Sequence, residues 1–414
     1  MTTFFRLLKD TDKATALRRA IATRRGGEVD EERTFTLDPD KFRKVPNTPF
    51  AYWVDDSIRD LFVKLPPFES EGRTVRVGLQ TSDDFRFVRA WWEVDADRRL
   101  DPIEGGAPDW REDLEGFQKW CRTRTHQGKY WVPFAKGGEY SPYYSDIHLV
   151  VNWKNEGEEM KAFSGSVIRN PDYYFRPGVT WPSRTTSGWS PQLVPAGGIF
   201  SHKGYELMTE RAVDVLSWCA AFNTRLYQGL LEVFLGYGDQ SVRGSAARDY
   251  TVGAVQILPV LDISPDVMRV LAEAADRTYH LRVKLSASDE TQMLSPLPST
   301  SIASKSDVES CIREIADLAS DVRQIESAVR SMTGLREPSI QSLVTLLGDN
   351  PYLDRETRGL DDSEMADLRR LWRAPLEEHI YRAIQEGWNT RSVVKRLFFV
   401  NQKLEVVAAA VQHR

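Results

Sequence analysis

Cysteine is scarce in this chain of 414 residues, and its three cysteines, Cys121, Cys219 and Cys311, are odd in number and far apart. This spacing argues against a disulfide framework and for a reducing compartment. No apolar run approaches the roughly 18–20 residues that a membrane-spanning helix requires. The first residues also lack the apolar core and small-residue cleavage site of a signal peptide. The sequence therefore predicts a cytoplasmic protein without a membrane partner.

Several catalytic signatures are also missing. The chain has no glycine-rich phosphate loop of the P-loop or Rossmann type. Its six histidines are scattered without cysteines at zinc-ligand spacing, and no strand-like run carries the acidic cluster of common nucleases. An adenine methyltransferase needs a methyl-donor loop and an Asn-Pro-Pro-Tyr type of catalytic turn, and the nearest strings, at 170–174 and 350–352, lack the second proline. The sequence therefore predicts no catalytic residue, metal site or cofactor site in this chain.

The charge is present but unevenly distributed. The whole chain has a net charge of −5, yet residues 117–205 contain 11 Lys and Arg against 6 Asp and Glu, so the rest of the chain carries −10. Ten of the twelve tryptophans lie between Trp53 and Trp218. A basic, aromatic-rich middle in an acidic chain is typical of a surface that binds a polyanion. The alternative is a β-rich domain with an aromatic core, whose charge asymmetry has no function.

Hydrophobic periodicity divides the chain into three regions. Residues 1–41 are predicted to form an amphipathic helix, over 1–25, and a polar linker. Residues 42–265 contain short alternating runs between turn-rich stretches, which predicts a twisted, mostly antiparallel sheet with large loops. Within that region, 206–235 is predicted as one or two helices and 250–258 as a strand.

Residues 266–414 are predicted to be helical, with a loop or hinge over 286–304 and a further amphipathic helix from Pro375. The clearest signal lies in residues 306–333, where two sets of apolar residues each repeat every seven positions: Val308, Ile315, Val322 and Val329, and Cys311, Leu318, Ile325 and Met332. This pattern predicts a long helix that packs like a coiled coil against another helix of this chain or of another subunit. The predicted fold class is α+β, a β-rich domain followed by a helical domain.

Several blocks of the middle region occur in a characteristic order. They are Gly78-Leu79-Gln80-Thr81-Ser82 with residues 87–94, Trp131-Val132-Pro133-Phe134 with residues 135–153, Tyr174-Phe175-Arg176-Pro177-Gly178 with residues 179–204, and the closing segments 223–227 and 250–260. In this order they resemble the target-recognition half of large adenine-specific DNA methyltransferases. Those enzymes serve BREX-type phage-defence systems and type IIG and IIL restriction–modification. Type I restriction specificity subunits share the closing pattern.

The resemblance covers roughly residues 42–265 and implies a region that binds double-stranded DNA. In the family the methyltransferase domain precedes this region, whereas here a methionine stands shortly before it. The resemblance therefore implies a non-catalytic specificity subunit that directs a partner N6-adenine methyltransferase, which binds S-adenosylmethionine. The spacer helix of type I specificity subunits fixes the recognition domain to its partners, and the heptad helix is expected to act similarly. Other proteins of the defence system are further candidate partners.

Two alternatives stay open. One is a stand-alone enzyme that acts on DNA, such as a nuclease or a reader of modified DNA with an unrecognised catalytic site. The missing metal-binding acidic cluster weighs against it. The other is a decoy or inhibitor-binding protein that no longer contacts DNA.

The candidate DNA contacts lie in polar loops rich in glycine and proline, where cations can face outward and neutralise phosphates. Adjacent glycines allow close approach of the backbone, whose N–H groups can meet a phosphate. The predicted set is Lys136, Gly137, Gly138, Tyr140, Tyr143, Arg169, Arg176, Arg184, Thr185 and Lys203. The alternative for Lys136 and Arg176 is a structural pair with a carboxylate such as Glu139 or Asp172. The core is predicted to include Trp91, Trp92, Trp153 and Trp181.

Overall fold

A computed structural model describes residues 1–347, apart from 8–9, 31–32, 71, 103–104, 237–246 and 287–304. The predicted amphipathic helix from Pro375, and the predicted loop 286–304 beyond its first residue, lie outside this part. Among the described helices, none is both long and apolar enough to cross a membrane.

The described residues form an α+β fold. The strands are β1 (Thr2–Phe5), β2 (Thr34–Leu37), β3 (Arg73–Arg76), β4 (Val88–Ala90), β5 (Trp131–Ala135), β6 (Leu149–Asn152), β7 (Gly178–Thr180), β8 (Arg184–Thr185), β9 (Gln192–Val194), β10 (Ile199–Phe200), β11 (Glu206–Thr209) and β12 (Arg248–Asp249). The helices are α1 (Lys13–Arg25), α2 (Asp56–Lys64), α3 (Asp84–Phe87), α4 (Leu114–His126), α5 (Glu158–Ala162), α6 (Asp214–Phe222), α7 (Arg225–Leu235), α8 (Val252–Gln256), α9 (Pro265–Ser286), α10 (Lys305–Ser331) and α11 (Glu337–Leu346). The α+β part of the predicted fold class is thereby confirmed.

Two four-stranded sheets organise the middle of the chain. One has the order β10-β5-β6-β4 and the other β3-β11-β7-β9, and among the described strand pairs only β10 and β5 run parallel. This confirms the predicted, mostly antiparallel sheet. Each sheet covers its own apolar cluster. The first cluster is built around Phe134, Val151 and Trp153, and the second around Val179, Trp181 and Leu207.

The amino terminus differs from the prediction of a helix over 1–25. Thr2–Phe5 forms a strand that pairs with Thr34–Leu37, as suits its β-branched and aromatic side chains. The helix begins only at Lys13, where the carboxylate of Asp12 accepts a hydrogen bond from the N–H of Thr15 at 3.0 Å.

Two segments of the middle region have the opposite structure to the one predicted. Glu206–Thr209 is a central strand rather than the start of a helix, because it pairs with both β3 and β7. Val252–Gln256 is a short helix rather than a strand, because the hydroxyl of Thr251 caps its first turn through the N–H of Ala254. Trp92 is also 53% exposed and not a core residue, whereas Trp153 and Trp181 are buried as predicted.

The helix predicted from the heptads forms over Lys305–Ser331. Its described seam residues Leu318, Val322, Ile325 and Val329 are buried in the same cluster as the second sheet, and α10 packs on α6, α7 and α9. Knobs-into-holes packing stays a prediction, and the side chains of Val308, Cys311 and Ile315 lie outside the described part. The partner of the described seam is therefore this chain itself.

Candidate nucleic-acid interface

Two loops that carry predicted DNA contacts begin at the same edge of the first sheet. Strands β5 and β10 run parallel, with Ala135 beside Phe200, so the residues that follow each strand emerge side by side. These are Lys136 after β5 and the turn 201–204 after β10. The Oγ of Ser201 holds that turn by accepting hydrogen bonds from the N–H groups of Lys203, at 3.1 Å, and Gly204, at 2.9 Å.

The glycines of these loops allow the two backbones to touch. Gly137 and Gly138 have φ of +86° and +61°, in the region that favours glycine. A Cβ atom at Gly204 would lie 2.3 Å from the backbone nitrogen of Gly137, and one at Gly137 would lie 2.6 Å from the carbonyl oxygen of Trp181. Gly137 is buried and Gly138 exposed, so the first serves packing and only the second faces solvent.

Three predicted cations influence the pKa of one histidine. Burial lowers the pKa of His202, a hydrogen bond with the backbone of Leu79 opposes this, and the positive charges of Lys203, Lys136 and Arg169 lower the pKa further. All three cations therefore lie within electrostatic range of a single imidazole, and Arg169 is tied to the same place through Gln80, whose neighbour Leu79 bridges Ser201. We call Lys136, Arg169 and Lys203 the basic loop group.

Members of the basic loop group differ in how firmly the protein holds them. The Nζ of Lys136 lies 2.6 Å from Oδ2 of Asp84, so this lysine has a structural ion pair, although with a different carboxylate from Glu139. Arg169 donates to the neutral amide oxygen of Gln80 at 3.3 Å. Lys203 is exposed. Lys203 and Arg169 are therefore better placed than Lys136 to take a phosphate as partner.

Arg176 is held mainly by the fold. Its Nη2 donates to the carbonyl oxygen of Thr209 at 2.8 Å, and its guanidinium lies 5.8 Å from the ring centre of Tyr173. Burial lowers the pKa of this half-buried arginine, while the nearby Tyr173 and Glu206 act in the opposite direction. The structural alternative therefore describes Arg176 well, but its partners are backbone carbonyls and not Asp172.

Sequence reasoning missed the arginines of the edge strand β3. With Tyr173 and Arg176 they line a cleft of about 440 Å³. Arg76 lies 5.6 Å from the ring centre of Tyr173 and pairs with Glu69 at 2.9 Å, and Arg73 donates to Oγ of Ser70 at 2.6 Å. The available signal was two arginines in one short strand that directly precedes the first recognisable block, which begins at Gly78.

The remaining predicted contacts lie elsewhere or are inaccessible. Arg184 is 68% exposed on the β8–β12 ribbon, 3.8 Å from a carboxylate oxygen of Asp249. The Oγ1 of Thr185 accepts a hydrogen bond from the N–H of Ser187, and Tyr140 is half-buried. Tyr143 is 1% exposed and packs in the core, where no surface of its ring is open to DNA.

The described histidine, cysteine and acidic side chains give little support for metal or thiol chemistry. No cluster of three or more His, Cys, Asp or Glu in the described part is arranged to hold a metal ion. Cys121 and Cys219 are buried, and burial raises the pKa of the Cys121 thiol to about 12. These two thiols are thus unreactive near neutral pH.

Comparison with known proteins identifies distant relatives. No model of a known protein family matches the chain. It is 26% identical over 229 residues to the adenine-specific methyltransferase BrxX of Escherichia coli O9:H4 (strain HS), a match that covers 55% of this chain and 16% of BrxX. It is 25% identical over 240 residues to the adenine-specific methyltransferase PglX of Lacticaseibacillus casei (strain Zhang), over 55% of this chain and 18% of PglX. The chain thus spans less than a fifth of the relatives it matches, and is distantly homologous to adenine-specific methyltransferases.

Proposed function

We propose that this chain recognises double-stranded DNA for an adenine-specific methyltransferase of a BREX- or Pgl-type phage-defence system, and directs N6 methylation to a specific site. The basic loop group carries the proposal. Lys136 and Lys203 follow the paired strands β5 and β10, and Arg169 lies within electrostatic range of the same histidine, in a chain whose net charge is −5. Methyl transfer and S-adenosylmethionine binding belong, in this proposal, to the catalytic subunit that is its partner. Other proteins of the defence system are further partners.

The proposed contacts follow from how each side chain is held. Lys203 and Arg169 neutralise phosphates directly, and Lys136 exchanges Asp84 for a phosphate. Gly138 and Tyr140 lie in the loop after β5, Thr185 lies beside Arg184 on β8, and Gly137 sets the backbone path of that loop. Arg184 contacts DNA on the β8–β12 ribbon. Arg176 positions the neighbouring segment rather than binding DNA itself.

The test is the salt dependence of binding to duplex DNA. We expect Arg169→Ala/Lys203→Ala to weaken binding to all sequences about equally. Each lost phosphate contact should lower the slope of log K against log salt by about 0.9. The matched control is Lys64→Ala/Arg269→Ala, which removes two exposed cations that pair with carboxylates on α2 and α9. An unchanged slope in a folded Arg169/Lys203 variant would return these residues to structural roles.

A methylation assay tests the division of labour. The purified chain with S-adenosylmethionine should not methylate DNA, whereas addition of the catalytic partner should produce site-specific N6-adenine methylation. Methyl incorporation by the purified chain alone would contradict the proposal and support an enzyme in its own right.

A further inference from the structure

Phe85 is the most exposed aromatic side chain among the described residues, at 94%. Burial of a phenylalanine ring in an apolar environment is favourable, so a fully exposed ring on a fixed element is a candidate contact for a binding partner. Phe85 belongs to the short helix α3, which follows β3 and precedes β4 in the chain. Its neighbour Phe87, two residues on, is fully buried and anchors the helix in the core.

The segment around Phe85 is fixed by hydrogen bonds. Ser82 adopts a positive φ of +59°, and its Oγ donates to the carbonyl oxygen of Gly165 at 2.5 Å. The Oγ of Ser166 donates to the carbonyl oxygen of Thr81 at 2.7 Å, and the carboxylate of Asp83 accepts from the N–H of Arg86 at 3.0 Å. The exposed ring therefore lies on a segment whose backbone is fixed by hydrogen bonds.

The same segment adjoins the basic loop group. Asp84, the residue before Phe85, accepts the ion pair of Lys136, and Arg86, the residue after it, pairs with Glu159 at 2.7 Å. In the free protein, the charges that flank Phe85 are thus paired within the chain. If the basic loop group holds DNA phosphates as proposed above, the duplex lies close to this ring.

We propose that Phe85 inserts between neighbouring base pairs of the bound duplex, an inference that rests on the proposed DNA-binding function. Apolar wedges of this kind partly unstack a base step and kink the duplex. The ring is exposed in the free protein and becomes buried between the bases on binding. The free energy of this burial offsets the cost of unstacking. Opening the stack near the target also favours extrusion of an adenine by the methyltransferase partner.

The experiment compares two probes, a short synthetic duplex and the same duplex with one central abasic site. The wild-type chain should bind the abasic duplex more tightly, since part of the stacking is already lost there. Phe85→Ala should bind the intact duplex roughly tenfold more weakly, as expected from loss of an aromatic–base contact, and should lose most of the preference for the abasic probe. Its salt slope should equal that of wild type, because the phosphate contacts remain.

Two further variants make the outcome decisive. Phe85→Trp should keep the abasic preference, and Phe50→Ala should behave as wild type, because Phe50 is 62% exposed but packs on Phe4 and Phe42. If wild type shows no salt-dependent binding, the proposed function fails and this inference with it. If wild type binds in a salt-dependent way but Phe85→Ala matches Phe50→Ala on both probes, the insertion is overturned while DNA binding stands.

Discussion

At Glu206 a single carboxyl group is fully buried in the central strand β11. Burial raises its pKa well above the ordinary value of 4.5, and the nearby charge of Arg176 only partly opposes this. Gly178 on the paired strand leaves room for the group, since a Cβ atom there would lie 2.1 Å from Oε1 of Glu206. The neutral acid is therefore the form that the fold accommodates.

We expect Glu206→Gln to flatten the pH dependence of stability. Because the folded-state pKa is raised, the stabilising contribution is fully present below pH 4.5 and is lost as the pH rises through the folded-state pKa. The free energy of unfolding of the wild type should therefore fall across that window, and that of the variant should fall less. Urea denaturation at a series of pH values measures this. Exposed Glu210→Gln is the control, and parallel curves for wild type and Glu206→Gln would contradict the assignment.

At the scale of elements, the parallel pair of β5 and β10 brings Lys136 and Lys203 of the basic loop group onto neighbouring loops. Because Gly204 has no side chain, the backbones of the two loops lie in direct contact at Gly204 and Gly137. Loops this close transmit a displacement of one to the other, so the spacing of Lys136 and Lys203 depends on glycine at position 204.

We expect Gly204→Ala to destabilise the chain by roughly 1–3 kcal/mol, since its Cβ meets backbone atoms that cannot move aside cheaply. DNA binding should weaken as well, because the two lysines are pushed apart. Gly253→Ala is the matched control, because nothing lies within 4 Å of a Cβ there and alanine favours the helix α8. Thermal unfolding and binding at fixed salt measure both effects. Equal melting temperatures for the two variants would show that the loop contact is dispensable.

For the whole molecule, the helical region and the second sheet share one core. Leu318 and Ile325 of α10 belong to the same buried cluster as Trp181, Trp189 and Trp218. The domain boundary at 265 stays a prediction. In the described part, one continuous apolar cluster contains residues from both sides of it. The seam from Leu318 to Val329 is buried within this chain and is therefore not open to a partner subunit.

We expect Leu318→Asp/Ile325→Asp to disrupt both sides of that core. Each charge costs several kcal/mol unless it reaches water, and the three tryptophans of the shared cluster should report the loss in fluorescence. Ser320→Asp/Gln324→Asp adds the same charge at exposed positions of α10 and should leave the fluorescence native. Native fluorescence and cooperative unfolding in the Leu318/Ile325 variant would show that the sheet side folds independently.

The sequence by itself determined the features that depend on neighbours along the chain. The heptads of α10 and the apolar spacing of α9 predict helices because helical contacts are local, three to seven residues apart. The alternating runs of the middle region predict strands, and the order of its blocks indicates a relationship to adenine-specific methyltransferases.

Only the tertiary structure decided the features that depend on distant partners. Glu206–Thr209 is a strand because β3 and β7 flank it, and Tyr143 is buried because the core closes over it. The loops of Lys136 and Lys203 lie side by side because β5 and β10, more than sixty residues apart in the chain, pair in parallel. Phe85 is 94% exposed beside a buried Phe87, on a segment that residues 165–166 fix through hydrogen bonds to Thr81 and Ser82. Strand pairing and burial are set by long-range packing, which no local pattern encodes.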